Sequence, residues 1–211
     1  MHKAIVAAAA LLTTSTIAYA QQNMATDIMK SDIDKVLASP GRSVDHTLRV
    51  LDMGSYQLSV AVVKRGPTGE RPAGAAPQRA ADAPKPVPCG VTALPANSKP
   101  AAAGGISHDD TVETYIVIAG SGTLVTGGQI MNGQRSGPDS EVTKILNGPS
   151  CSGQIVGDYV ARKVTVGDIS VIPAGVAHGW SEIPAGGVTY LSVRPDPKKV
   201  LEHGYVNPAI K

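Results

Sequence analysis

Short segments rich in Val, Ile and Thr follow one another through the second half of the chain, from Thr111 to Pro195. Glycine, proline, asparagine and aspartate separate them at short, even intervals. β-Branched residues favour strands and the separators favour turns, so the pattern predicts an antiparallel sandwich or barrel. The segments read TVETYIVIAG, SGTLVTGG, EVTKIL, DYVARKVTV, GDISVIPAG, VAHGWSEI and GVTYLSVRP.

Two further features precede these segments. The stretch from Thr26 to Ser39 has apolar residues at helical spacing, with Thr26 as a candidate N-cap and Pro40 after its end. It predicts one short amphipathic helix packed on the outside of the domain. The segments SVDHTLRVLDMG and YQLSVAVVKRG then predict a pair of strands joined by a glycine-containing turn.

Residues 66–105 differ in composition, because Pro, Ala and Gly dominate them. Such a segment cannot bury enough apolar surface to fold alone, so we predict a long, irregular loop insertion. The predicted organisation is a helical extension over 21–43, one barrel domain over 44–200 and a tail over 201–211. With 211 residues, the chain is long enough to bury one core, and without Phe that core is built from Val, Ile, Leu, Ala and Tyr.

The first twenty residues have the pattern of a secretory signal peptide. Lys3 gives the basic start, an apolar stretch follows, and Ala18-Tyr19-Ala20 forms the small-x-small cleavage pattern. We therefore expect cleavage after Ala20 and a periplasmic or secreted protein. No second segment is long and apolar enough to span a bilayer, and a net charge of +2 gives no indication of nucleic acid.

Two cysteines, Cys89 and Cys151, would meet an oxidising compartment after secretion. Only one intramolecular pair is possible, and the alternative is two unpaired thiols. Paired, they would stabilise the fold by about 4 kcal/mol in the chain-entropy model. Neither has a second ligand at the short spacing that zinc sites use.

The stretch ISHDDTVE, residues 106–113, concentrates polar side chains before an apolar run. His108 and Glu113 have opposite parity in a continuous strand, so they converge only if Asp109-Asp110 form a turn or bulge. Further along, GDISVIPAGVAHGWSE has a Pro-x-Gly turn that directs His178 into the next strand. Two imidazoles and a carboxylate are suitable ligands for a divalent metal.

These two segments resemble the two motifs of the cupin superfamily, G-x5-H-x-H-x(3,4)-E-x6-G and G-x5-P-x-G-x2-H-x3-N. His108, Glu113 and Gly120 match the later part of the first motif at the required spacing. The second motif is matched by Gly167, Pro173, Gly175 and His178, whereas Glu182 replaces its final Asn. The resemblance covers roughly residues 104–194.

The resemblance implies an all-β double-stranded β-helix, or jelly roll, with a metal in the barrel mouth. Cupins usually supply three His and one Glu, and here His108, Glu113 and His178 take three of those positions. Ile106 occupies the position of the first His, so the site lacks one nitrogen ligand. Either three ligands bind a divalent ion, or the cupin is degenerate and has lost tight metal binding. The ligand set does not discriminate among Fe, Mn, Zn, Ni and Cu.

Residues near the ligands are the catalytic candidates. Tyr115 lies two residues beyond Glu113, and Arg194 shares a strand face with Tyr190 and Ser192. If that face lines the mouth, Arg194 could bind a substrate carboxylate; otherwise it faces solvent.

These residues leave three functions open. The first is an oxygenase, isomerase or lyase that uses a metal. The second is a non-catalytic protein that holds a small polar ligand or sugar, and the third is a structural or storage oligomer. The first two require a small-molecule partner, and the cupin resemblance also implies a homodimer. Fold alone does not decide among them.

Overall fold

The computed structural model describes residues 24–39, 43–69, 86–98 and 100–211, with only the backbone of residues 102 and 103. The predicted signal peptide lies outside these residues, as does much of the predicted insertion. Helix α1 spans Lys30–Ala38, and a π-helix and a 3-10 helix span Val142–Leu146 and Pro208–Ile210. The strands are β1 Asp45–Asp52, β2 Gln57–Arg65, β3 Pro88–Cys89, β4 Pro100–His108, β5 Glu113–Arg135, β6 Ser150–Thr165, β7 Ile169–Ile172, β8 His178–Glu182 and β9 Val188–Asp196.

The strands form two antiparallel sheets that share the long strand β5. Its first part, to Gly120, pairs with β9 and β7, and β9 continues to β2 and β1. Its second part, from Ser121, pairs with β6, β8 and β3, while β4 joins β6. This crossing of one strand between two antiparallel sheets gives the predicted jelly roll, so the all-β double-stranded β-helix is confirmed.

A bend at Gly120 allows β5 to change sheets. Gly120 has a φ of 71°, and a Cβ there would collide with the carbonyl of Gly187. The Gly-Ser-Gly stretch at 120–122 is therefore not the turn that the sequence predicted. It is a bend inside one strand of 23 residues.

The prediction of a strand for EVTKIL was wrong, because these residues form the π-helix. The amide of Asn147 donates to the carbonyl of Val142 at 2.8 Å, and the hydroxyl of Thr143 donates to the carbonyl of Gly137 at 2.8 Å. The hydroxyl of Thr47 in β1 then donates to the carbonyl of Ile145 at 2.8 Å. These bonds override the strand preference of Val, Thr and Ile.

The predicted irregular insertion over 66–105 also needs correction at its end. Residues 88–89 form β3, and β4 begins at Pro100. Gly105 explains how an Ala/Gly-rich segment becomes a strand: a Cβ there would collide with the side chain of Ile155 and the carbonyl of His178. The strand approaches its neighbours more closely than a larger residue would allow.

Helix α1 and the last residues of the chain cover one face of β1 and β2. Helix α1 begins at Lys30 rather than after Thr26, and its Val36 is buried against Leu48 and Val62. The predicted tail over 201–211 packs on the domain, because Leu201 is buried and the 3-10 helix joins the same cluster. No helix among the described residues is long and apolar enough to span a membrane.

Cys89 and Cys151 form a disulfide that joins β3 to β6. The bond closes a separation of 62 residues in sequence. It therefore holds the end of the insertion against β6, which begins at Ser150.

Candidate metal centre

The predicted ligands lie together where one strand ends and two others begin. His108 ends β4, Glu113 begins β5 and His178 begins β8. Residues 109 and 110 form a bend, which the amide of Asp109 supports by donating to the carbonyl of Pro149 at 2.9 Å. The side chains of His108, Glu113 and His178 are all buried, with exposures of 2%, 1% and 3%.

The ligand atoms of these residues converge on one point. The Oε2 atom of Glu113 lies 2.9 Å from Nε2 of His178 and 3.2 Å from Nε2 of His108. One ligand atom from each residue lies within 4.8 Å of the other two. Metal bonds of about 2.1 Å at right angles would place neighbouring ligand atoms about 3.0 Å apart, so the spacing suits a small divalent ion.

Hydrogen bonds at the far nitrogens fix both imidazole tautomers. The carbonyl of Val176 lies 2.9 Å from Nδ1 of His178, so Nδ1 must carry the proton. The hydroxyl of Ser150 donates to the carbonyl of Gly148 and so accepts from Nδ1 of His108 at 2.7 Å. In the neutral form both Nε2 atoms therefore present lone pairs, as metal-binding histidines do.

The lone pair on each Nε2 atom faces the negatively charged Oε2 of Glu113. These three atoms repel one another unless a cation lies between them. Nε2 of His178 is buried and has no hydrogen-bond partner. Burial lowers the pKa of His108, and the attraction of Glu113 offsets this effect only in part, so protonation is disfavoured there. The donor set therefore fits a divalent metal ion.

The other carboxylate oxygen of Glu113 is already saturated. Its Oε1 accepts from Nε of Arg194 at 2.6 Å, from the hydroxyl of Ser192 at 3.1 Å and from the amide of Asn147 at 3.1 Å. Burial opposes the ionisation of Glu113, but the charge of Arg194 outweighs it and holds the pKa of Glu113 well below the usual range. Only Oε2 is available to a metal, so Glu113 would bind through one oxygen.

Arg194 lies at the site but has neither of its predicted roles. It is 1% exposed, so it does not face solvent. Besides Glu113, its guanidinium donates to Asp45 at 2.6 Å and to the carbonyl of Leu146 at 3.2 Å, which leaves no free edge for a substrate carboxylate. Burial disfavours its charge, but Asp45 and Glu113 outweigh this and raise the pKa of Arg194. Arg194 therefore positions Glu113.

Tyr115 is the other catalytic candidate, and its hydroxyl lies directly at the ligands. It donates to Oε2 of Glu113 at 2.8 Å, and its ring packs edge-on against His178. Burial and the charge of Glu113 raise the pKa of Tyr115 well above the usual range. The phenol therefore stays protonated at neutral pH and donates its hydrogen bond to the oxygen that would bind a metal.

Ile106 lies beside the ligands but adds no donor atom. It is half-buried in β4, two residues before His108, and its backbone pairs with His178. The neighbourhood therefore brings together three side chains that could hold a metal and one apolar side chain.

Sequence reasoning missed the residues that orient the ligands. Asn147 and Ser150 flank the Gly148-Pro149 turn, and Asp45 lies at the start of β1. Asn147 bonds to Glu113, Ser150 to His108 and Asp45 to Arg194, each across 34 residues or more of sequence, so no local spacing indicates them. The parity of Tyr190, Ser192 and Arg194 placed Ser192 on the correct strand face, but it did not indicate that Ser192 donates to Glu113.

No family model matches the chain, and no curated protein matches it in sequence. Solved structures do match its shape. One is a protein with a double-stranded beta-helix domain from Klebsiella pneumoniae subsp. pneumoniae, with 12% identity and a TM-score of 0.38, covering 82% of this chain and 94% of that one.

Two other matches are proteins named for different activities. An oxalate oxidase has 12% identity and a TM-score of 0.35, covering 78% of this chain and 59% of that one. Peruvianin-I, a cysteine peptidase from Thevetia peruviana latex, has 9% identity and a TM-score of 0.34, covering 77% and 68%. Similarity at this level carries no argument about activity, so the chemistry of this chain rests on its own side chains.

Proposed function

We propose that this chain is a secreted cupin-type protein that binds one divalent metal ion through His108, Glu113 and His178. The observation that carries the proposal is the convergence of two imidazole lone pairs and one carboxylate oxygen at 2.9 Å and 3.2 Å, all buried. Two histidines and one carboxylate suit Fe, Mn, Zn, Ni and Cu alike, so the ligands leave the choice of metal open.

The same centre supports a metal-dependent reaction of a small molecule, of the oxygenase, isomerase or lyase type. A bound metal would act as a Lewis acid toward a carbonyl or activate water or dioxygen. The protein contributes Tyr115 as the candidate acid/base, because its hydroxyl lies 2.8 Å from Oε2 of Glu113, beside the proposed metal. Arg194, Ser192 and Asn147 hold the carboxylate so that it cannot rotate.

A non-catalytic protein with a small polar ligand or sugar is the second candidate. The observation that favours it is Ile106, which occupies the position of the first cupin His and leaves the proposed metal one ligand short. Turnover that a chelator abolishes would support the enzyme, whereas ligand affinity unchanged by chelator would support the binding protein.

Elemental analysis of the purified protein tests the ligand assignment. We expect about one equivalent of metal in the parent protein and almost none in His108→Ala or His178→Ala, because each variant leaves only two ligands. His46→Ala is the matched control, since His46 is a half-buried histidine of β1 outside the cluster, and it should keep its metal. A metal-free parent would contradict the proposed function, and equal metal in all proteins would contradict the assignment.

Ile106→His should supply the missing fourth ligand and tighten metal binding. Even outer partners of metal ligands change affinity by about 10- to 100-fold, so a direct nitrogen ligand should gain at least about tenfold. Competition with a chromogenic chelator measures the affinity, with Ile106→Val as the control that keeps an apolar side chain. Unchanged affinity in Ile106→His would mean that residue 106 cannot reach the metal.

Secretion and assembly belong to the same proposal. Support for export to the periplasm or outside comes from the N-terminal sequence, and the Cys89–Cys151 disulfide is consistent with it. Homodimer formation stays a prediction from the cupin resemblance.

A further inference from the structure

A cleft of about 1030 Å³ opens on the outer side of the barrel, and none of the three metal-ligand residues lines it. Its walls are residues 24–26, the end of β1 with the β1–β2 turn, and residues 203–206. We call it the outer cleft. It is lined by Met24, Ala25, Thr26, Arg49, Val50, Leu51, Asp52, Met53, Gly54, Leu58, His203, Gly204, Tyr205 and Val206.

Arg49 gives the outer cleft an uncompensated positive charge. Its Nε atom is buried without a hydrogen-bond partner, and Arg49 takes part in no ion pair among the described residues. Asp52 is the one carboxylate lining the cleft, and its Oδ1 already accepts from Lys199 at 3.2 Å and from the amide of Gly54 at 2.9 Å. No described carboxylate pairs with Arg49, so its guanidinium is available to an anion that enters the cleft.

His203 adds a second donor to the lining. The side-chain amide of Gln57, which is 2% exposed, lies 3.3 Å from Nδ1 of His203. With that amide donating, Nδ1 is the acceptor and the ring proton is on Nε2. The cleft therefore combines a guanidinium and an imidazole N–H, both of which favour a carboxylate or another oxyanion.

The remaining walls are apolar and are held by the backbone. Met24, Met53, Leu58 and Tyr205 supply hydrocarbon and aromatic surface. The amide of Val50 donates to the carbonyl of Tyr205 at 2.9 Å, so the wall formed by residues 203–206 is fixed along β1. One polar end and several apolar walls match a molecule that is anionic at one end and apolar along the rest.

We infer that the outer cleft is a binding site for a small amphipathic organic anion, with its carboxylate on Arg49 and its apolar body against the methionines, Leu58 and Tyr205. The site is separate from the metal centre and does not depend on metal being bound.

Calorimetric titration with octanoate, and with 1-octanol as the uncharged partner, tests this inference on the purified protein. We expect saturable 1:1 binding of octanoate that Arg49→Gln weakens by about 10- to 100-fold, the value of a hydrogen bond to a charged group. 1-Octanol should bind more weakly than octanoate, with the same affinity in parent and variant. Arg162→Gln is the matched control, because Arg162 is an exposed arginine outside the cleft that donates to Thr126.

Three results would overturn the inference: no octanoate binding, equal weakening by Arg49→Gln and Arg162→Gln, or 1-octanol binding as tightly as octanoate. Thermal unfolding shows whether each variant is folded. If Arg49→Gln is not folded, Arg49→Lys replaces it: the lysine keeps the charge but loses the planar fork, and binding weaker than in the parent is still required.

Discussion

Glu113→Gln should lose the metal and lower the free energy of unfolding by about 3 kcal/mol, the low end of the cost of breaking a buried ion pair. The metal is lost because Oε2 is the oxygen that faces both histidines, and a neutral amide is a poor ligand. Stability falls because Arg194 keeps its charge in a buried site with one partner fewer. Asp45 still compensates the charge of Arg194, so we expect a loss of stability at the low end of the range for a broken buried ion pair.

Glu182→Gln is the matched control for this change. Glu182 is an exposed carboxylate whose Oε2 accepts from Thr123 at 3.3 Å, so its replacement should leave the metal content unchanged and stability within about 0.5 kcal/mol. Urea unfolding with and without chelator separates the two effects of Glu113→Gln. Full metal content in that variant would show that Glu113 is not a ligand.

The convergence of His108, Glu113 and His178 could be predicted because their positions depend on local spacing. The five-residue separation of His108 and Glu113 requires a turn, Asp109-Asp110 can form it, and the structure has a bend there. His178 follows a Pro-x-Gly turn and starts β8 as expected. In each case a few neighbouring residues determine where the side chain lies.

The network around the ligands could not be predicted because tertiary packing alone brings it together. Asn147 reaches Glu113 only because residues 142–146 form a π-helix, whereas their composition predicts a strand. Arg194 is joined to Asp45, which is 149 residues away in sequence. Strand parity indicates the face on which Arg194 lies, but not that Glu113 and Asp45 neutralise it.

The long strand β5 shows, for the fold, the same limit of prediction from local sequence. Gly120 and its neighbours have the composition of a turn, yet the structure uses them to bend β5 from one sheet into the other. The short segments were recognised as strands, but their continuity depends on partners elsewhere in the barrel.

The second large effect concerns Arg194, which shares Glu113 with the proposed metal. Arg194→Met should lower the free energy of unfolding of the metal-free protein by about 3 to 5 kcal/mol, because the carboxylates of Glu113 and Asp45 lose their common partner inside the protein. A bound dication then becomes the main compensating charge for Glu113. Added metal should therefore raise the melting temperature of Arg194→Met more than that of the parent, and should not raise that of Glu113→Gln.

Thermal unfolding with and without one chosen metal measures this rise in melting temperature for the parent, Arg194→Met and Glu113→Gln. Arg135→Met is the control, because Arg135 forms an ion pair with Asp109 in which both side chains are more than one-third exposed, and such pairs contribute about 0 to 1 kcal/mol. If added metal raises the melting temperature of Arg194→Met less than that of the parent, the main effect of Arg194 is to orient Glu113 for the metal. Its competition with the metal for Glu113 is then the smaller effect. The centre would then depend on a preformed ion pair, and its affinity would fall together with the stability of the barrel.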